Sequence, residues 1–131
     1  MAREQLQNLT ESMYYILLAL TTERHGYEIM QEIEEFTNGR VTVGPGTLYA
    51  LLGRFEKEGF INLVSEENRK KTYIITQEGR SLLEEEINRL KQLIQDGEGI
   101  IKDINKNEKH MKEDKKIRAS IFKRSNDDIL Y

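Results

Sequence analysis

Apolar residues in the middle of the chain recur at helical spacing. Leu48, Leu51, Leu52 and Phe55 fall at i, i+3, i+4 and i+7, a single stripe between Pro45, the only proline, and Gly59. Proline's fixed φ suits a first helical position, and a glycine just past the last turn suits a left-handed terminator. The opposite face carries Thr47, Ala50, Gly53, Arg54 and Lys57. A glycine inside a helix costs up to ~1 kcal/mol relative to alanine. Two readings follow from the helix alone: a surface helix with a tolerated glycine, or a helix whose partner approaches its backbone closely.

The segments on either side bear on that choice. Thr10 is placed to cap a helix with apolar positions Met13, Ile16, Leu17 and Leu20. A second helix is predicted over about Tyr27 to Phe36, with Ile29, Met30, Ile33 and Phe36 inward and Asn38-Gly39 as its stop. After Gly59, Ile61 to Val64 and Thr72 to Thr76 read as two strands of a hairpin with a polar tip from Ser65 to Asn68. The tip leads into Arg69, Lys70 and Lys71. Three adjacent cations are usually a solvated charge run. Here they follow helix, turn and helix on a hairpin, which is the winged helix-turn-helix arrangement. The expected fold is mainly α with a small β-hairpin (α+β), and its winged domain spans residues 1–76.

Charge sharpens this reading. The net charge of −3 is unpromising for a DNA-binding chain. Residues 40–76, however, hold 6 Lys/Arg against 4 Asp/Glu, a local excess of two inside an acidic chain. Screening limits a field to about 8–10 Å at ordinary salt, so phosphates respond to the local sign.

Several blocks together resemble the PadR family of bacterial transcriptional regulators. They are Leu17-Leu18-Ala19-Leu20, His25-Gly26-Tyr27-Glu28-Ile29, Gly44-Pro45-Gly46-Thr47-Leu48-Tyr49, Arg54 to Ile61, and Lys71 to Arg80. The resemblance covers roughly Leu9 to Leu93. It implies a cytoplasmic, homodimeric winged-helix repressor that occupies a pseudo-palindromic double-stranded DNA operator. It also implies that Thr47 and Tyr49 are phosphate and groove contacts, that Tyr27 is a backbone contact, and that Arg69, Lys70 and Lys71 are the wing cations. Arg54 and Lys57 join them as the cations of the recognition helix. Gly44 stands where the family often has a serine, so the helix lacks a capping hydroxyl there. Some relatives sandwich planar ligands between tryptophans. This chain has none, which leaves a small apolar effector between paired helices as the candidate ligand.

A dimer segment is expected next. Thr76 suits an N-cap, and Leu83, Ile87, Leu90 and Ile94 step by 4, 3 and 4, a heptad seam. Leu82, Leu83 and Ile87 are within reach of their own domain, whereas Leu90 and Ile94 call for a partner chain, with Met13 and Leu17 contributing. Gly97 and Gly99 together cost about 2 kcal/mol of helix propensity, so the helix of the 77–104 segment is predicted to end near Asp96 and resume with less regularity. Residues 105–131 are read as a charged extension, partly helical or disordered.

Other function classes find little support. Cysteine is absent, and no metal-ligand spacing, nucleophile–base pair or phosphate-binding Gly-Lys-Ser/Thr loop occurs. Glu34-Glu35 and Glu84-Glu85-Glu86 read as solvated helix faces, and His25 as a hydrogen-bonding residue at a helix start. No enzyme, cofactor, metal or membrane partner is expected. The competing reading is a winged-helix dimer that senses a ligand or binds a protein, with little DNA affinity.

Overall fold

The computed structural model describes residues 8–129; residues 1–7 of the predicted winged domain, and Leu130 and Tyr131 of the predicted extension, lie outside the described residues. The elements run α1 (Glu11–Ala19), β1 (Arg24–His25), α2 (Gly26–Phe36), α3 (Pro45–Glu58), β2 (Ile61–Glu67), β3 (Lys70–Ile75) and α4 (Gln77–Ile129). The three strands form one antiparallel sheet in the order β1-β3-β2. Winged helix-turn-helix is the resulting arrangement, mainly α with a small sheet.

Local chemistry sets the helix ends. Thr10 Oγ1 accepts from the Met13 N–H at 3.2 Å and caps α1. The His25 N–H donates to Glu28 Oε1 at 3.1 Å, and this carboxylate lies 3.3 Å from His25 Nε2, so His25 does open α2 as a hydrogen-bonding residue. At the other end of α2, the Thr37 hydroxyl donates to the Ile33 carbonyl at 2.6 Å and accepts from the Val41 N–H at 3.2 Å. Asn38 and Gly39 then turn the chain with φ of 53° and 75°. α3 starts at Pro45 and stops at Gly59, whose φ of 83° is left-handed. Thr76 joins α3 to α4: its hydroxyl donates to the Gly59 carbonyl at 2.7 Å and accepts from the Gly79 N–H at 3.1 Å.

Ile16, Leu17, Leu20, Ile29, Ile33, Leu48, Leu52, Phe55 and Ile61 are fully buried. Helices α1, α2 and α3 thus supply one shared core, closed by Tyr73 and Ile75 of β3 and by Leu82 and Leu83 of α4. Phe36, expected inward, is 42% exposed. It stands at the last residue of α2 and rests against Tyr15, with ring centroids 5.8 Å apart.

The hairpin is tighter than expected. β2 and β3 extend to Glu67 and from Lys70, leaving only Asn68 and Arg69 as the turn, both with positive φ. Lys70 and Lys71 therefore stand in β3, opposite Glu67 and Glu66. The alternating pattern had marked only the strand ends nearest the core, because β2 is exposed beyond Ile61 and carries no inward residue to announce it.

α4 and the expected dimer surface depart from expectation in three ways. It runs unbroken through Gly97 and Gly99. Each glycine keeps both backbone hydrogen-bonding groups, so its cost is conformational and does not break the ladder. Second, Met13, Leu17 and Leu83, expected at a dimer surface, are buried in the core of their own chain. Third, Glu86, expected to be solvated, is buried; its Oε2 accepts from the Leu9 N–H at 2.7 Å and its Oε1 from Arg89 Nε. It shares the face of Leu82 and Leu83 one turn on, and it satisfies a backbone donor that water cannot reach. Compact packing ends near this point: Met1–Arg89 form one unit and Leu90–Tyr131 another. No helix among the described residues is long and apolar enough to cross a membrane.

Candidate nucleic-acid interface

The start of α2, the body of α3 and the wing converge on one groove. The first residues of α2, the middle of α3 and the wing from its tip at Arg69 to Tyr73 enclose about 560 Å³, lined by Tyr27, Tyr49, Gly53, Glu56, Lys70 and Lys71 among others. Five of the eight residues singled out for DNA contact are thus brought together: Tyr27, Tyr49, Arg69, Lys70 and Lys71. Thr47, Arg54 and Lys57 lie on α3 outside this groove.

The two tyrosines are exposed by 61% and 58%, far from core packing. Tyr49 leans on the start of α2, where Gly26 leaves room for its ring and hydroxyl. An aromatic ring resting there, with a hydroxyl at its tip, presents a donor and acceptor beside the helix. On α3 itself, Gly46, Ala50, Gly53 and Lys57 are all exposed. An ideal Cβ at Gly46 or Gly53 would meet nothing within 4 Å. Neither glycine is therefore required by packing in this chain.

Charge is distributed unevenly. Lys57 is exposed and forms no ion pair among the described residues, whereas Arg54 Nε lies 3.5 Å from Glu58 Oε1 on the flank of α3. On the wing, Arg69 stands at the tip with φ of 66°. Lys70 and Lys71 are exposed and close no ion pair with the glutamates opposite them. Those glutamates reduce the field of the hairpin, which is less basic than its Arg-Lys-Lys run suggests.

Glu56 was not anticipated as a site residue. It lies in the groove among the cations, exposed, seven residues and two turns after Tyr49. That spacing put it on the same face as Tyr49, but an acid on a DNA-facing surface runs against the charge argument. Burial pushes the Tyr73 hydroxyl pKa up, and the nearby Glu56 and Glu66 carboxylates push it further. Among the described residues no cluster of His, Cys, Asp or Glu could hold a metal ion.

Comparison with known proteins places this geometry. A model of the transcriptional regulator PadR-like family matches residues 16–85, which hold every residue of the groove. The chain belongs to the PadR-like family of transcriptional regulators. Members of this family are regulators and not enzymes. The chain is 36% identical over 63 residues to the transcriptional regulator YqjI of Escherichia coli K12; the match takes in 48% of this chain and 30% of that protein. It therefore spans less than a third of that curated relative. Among solved structures it is similar to a PadR-like transcription factor of Bacteroides fragilis, 29% identical with a TM-score of 0.59, covering 68% of this chain and 88% of the other. It is also similar to RosR of H. salinarum, 25% identical with a TM-score of 0.54, covering 69% and 78%. The PadR-like match ends at residue 85, before Leu90 and the second unit, so the outer part of α4 is a matter for its own chemistry.

Proposed function

We propose that this PadR-like chain is a homodimeric repressor that acts by occupying a pseudo-palindromic DNA operator. The observation that carries the reading is the groove itself, where two exposed tyrosines and the Arg69-Lys70-Lys71 run face the outer side of α3. In this reading α3 enters the major groove, with Gly46, Ala50 and Gly53 allowing its backbone close to the base edges. Lys57 is the cation on the same outer ridge and discriminates bases, while Arg54 and Thr47 on the flank meet the backbone. Tyr27, Tyr49 and the wing cations bind the phosphates on either side.

Dimerisation in this reading belongs to α4 beyond the core. Ile87 and Leu90 are half-buried, and Ile94, Ile101 and Ile104 are each about half exposed on the same stripe. Pairing two such helices would cover that stripe at heptad spacing. Met13, Leu17 and Leu83, already covered, take no direct part. Gly97 leaves the stripe without a side chain, beside a shallow depression lined by Gly97 and Ile101. That gap is the place for a small apolar effector in the paired state. The residues 77–104 then act as the dimer element, and those from 105 onward as an extension of the same helix.

Selection from a random duplex pool tests the whole reading. A pseudo-palindrome with half-sites about 34–36 Å apart is the expected product. Failure to enrich any sequence at low salt would refute it and favour a ligand-sensing or protein-binding dimer.

A further inference from the structure

The outer part of α4 carries a second basic surface that the groove does not use. Lys102, Lys106, Lys109, Lys112 and Lys116 follow one another at steps of 4, 3, 3 and 4, and Lys123 repeats the phase one heptad later. At about 100° per residue these steps hold them within one third of the helix circumference. Glu113 is the single acid inside that arc from residue 102 to residue 124; Asp103, Glu108 and Asp114 lie outside it. All the lysines in the ladder are exposed, and none closes an ion pair or hydrogen bond among the described residues.

Such a ladder is unfavourable for the helix by itself. Like charges at i,i+3 and i,i+4 destabilise a helix. Glu98 and Glu108, four residues before Lys102 and Lys112, and Asp103 and Glu113, three residues before Lys106 and Lys116, offset part of that cost. Six lysines nonetheless gather in an arc that holds a single acid, and that excess points to a polyanion on the other side. The stripe is also compatible with pairing. Ile101, Ile104 and Met111 continue the apolar seam, while Lys102, Lys109, Lys116 and Lys123 fall at the position one residue after Ile101 in each heptad. That position points away from a coiled-coil seam, so dimerisation leaves it open.

We propose that this lysine face is a second contact surface for duplex DNA, one that binds the phosphate backbone without reading bases. The inference rests on the DNA-binding reading of the winged domain, and DNA is chosen over other polyanions because the same chain presents its groove to it. In the paired state Ile101, Ile104 and Met111 lie in the seam, and the exposed Ile117 and Ile121 beside the lysines make too small an apolar patch to enter a lipid surface.

Anisotropy titrations of the full chain with a labelled random-sequence duplex, across a range of NaCl, decide the matter. One variant carries Lys→Gln at 102, 106, 109, 112 and 116; another carries Lys→Arg at the same positions. Gln and Arg are both good helix formers, so circular dichroism should match the parent. Each phosphate contact contributes about 0.9 to the log–log salt slope, so the Gln variant should lose between about 2 and about 4.5. The Arg variant should recover it. Should the five-fold variant lose helix, the pair Lys109→Gln and Lys116→Gln should still lose about 1 to 2. A parent that binds duplex with a slope unchanged by the Gln substitutions overturns this proposal and leaves the winged domain as the sole contact. A parent that binds no duplex at low salt overturns the DNA-binding reading itself. Lysine-dependent binding to phosphatidylserine vesicles, with unchanged duplex binding, would assign the face to a membrane and overturn it as well.

Discussion

The ring of Tyr49 lies so close to Gly26 that a methyl added at the glycine would stand 2.7 Å from its hydroxyl oxygen. This contact ties the second turn of α3 to the start of α2 and sets the direction in which Tyr49 points. Gly26→Ala should leave the fold nearly as stable, because the ring is exposed and free to swing aside. It should weaken duplex binding by about tenfold, or about 1.4 kcal/mol. Tyr49→Ala should cost at least as much. Thermal melts alongside anisotropy titrations separate the two effects; parent-like affinity in Gly26→Ala would show that the ring's placement is unimportant.

Arg69 offers a test with opposite signs. It occupies the second position of a two-residue turn in which both residues have positive φ, a place where glycine is preferred. A non-glycine residue in this region costs about 1 kcal/mol. Arg69→Gly should therefore raise stability by up to about 1 kcal/mol and still reduce affinity for duplex at low salt. A variant both more stable and equally tight would remove the wing tip from the interface.

Gly53 is similar in logic. Space around it is open, so Gly53→Ala should gain up to about 1 kcal/mol of helix stability. If α3 inserts closely into a groove, the added methyl should cost affinity for a selected operator while nonspecific binding changes little. Competition titration with operator and random duplex reads the difference.

Glu86 gives the pH dependence. The hydrogen bond from Arg89 lowers its pKa most, burial works against that, and the Leu9 N–H lowers it further; the net direction is down. A carboxylate whose folded pKa lies below its unfolded value contributes stability that is fully present above the unfolded pKa, near about 4.3. That contribution is lost as pH falls through the folded pKa. Glu86→Gln should therefore be less stable than the parent at neutral pH, and the two should converge in acid. Denaturant midpoints measured between neutral pH and acid would show the gap closing; a constant gap would mean that the charge of Glu86 is irrelevant.

In the proposed dimer the seam rests on Leu90 and Ile94, which lie past the buried residues of the core. Leu90→Asp should yield a folded monomer with lost operator binding, seen by sedimentation. A Leu83→Asp change should instead unfold the winged domain, since that side chain is buried in its own core.

The local rules were legible in the chain. Pro45 and Gly59 bound α3, Thr10 and Thr76 cap their helices, and the stripe of Leu48, Leu52 and Phe55 faces inward because a 3.6-residue period leaves one face for burial. These features depend on neighbours a few residues apart, and so the sequence alone determined them, along with the order of the helices and hairpin and the membership that their motifs carry; the two-residue strand β1, which exists only through its pairing with β3, was not legible. The tertiary structure alone decided which stripes find a partner within the chain. Met13, Leu17 and Leu83 have the same apolar character as Leu90 and Ile94, and only packing separates the covered from the open. Glu86 reads as one more acid in a run until Leu9, far away in sequence, brings it an N–H. The meeting of Gly26 with Tyr49, and of both with the wing, joins residues up to forty-odd positions apart, a distance across which no periodicity in the chain carries information.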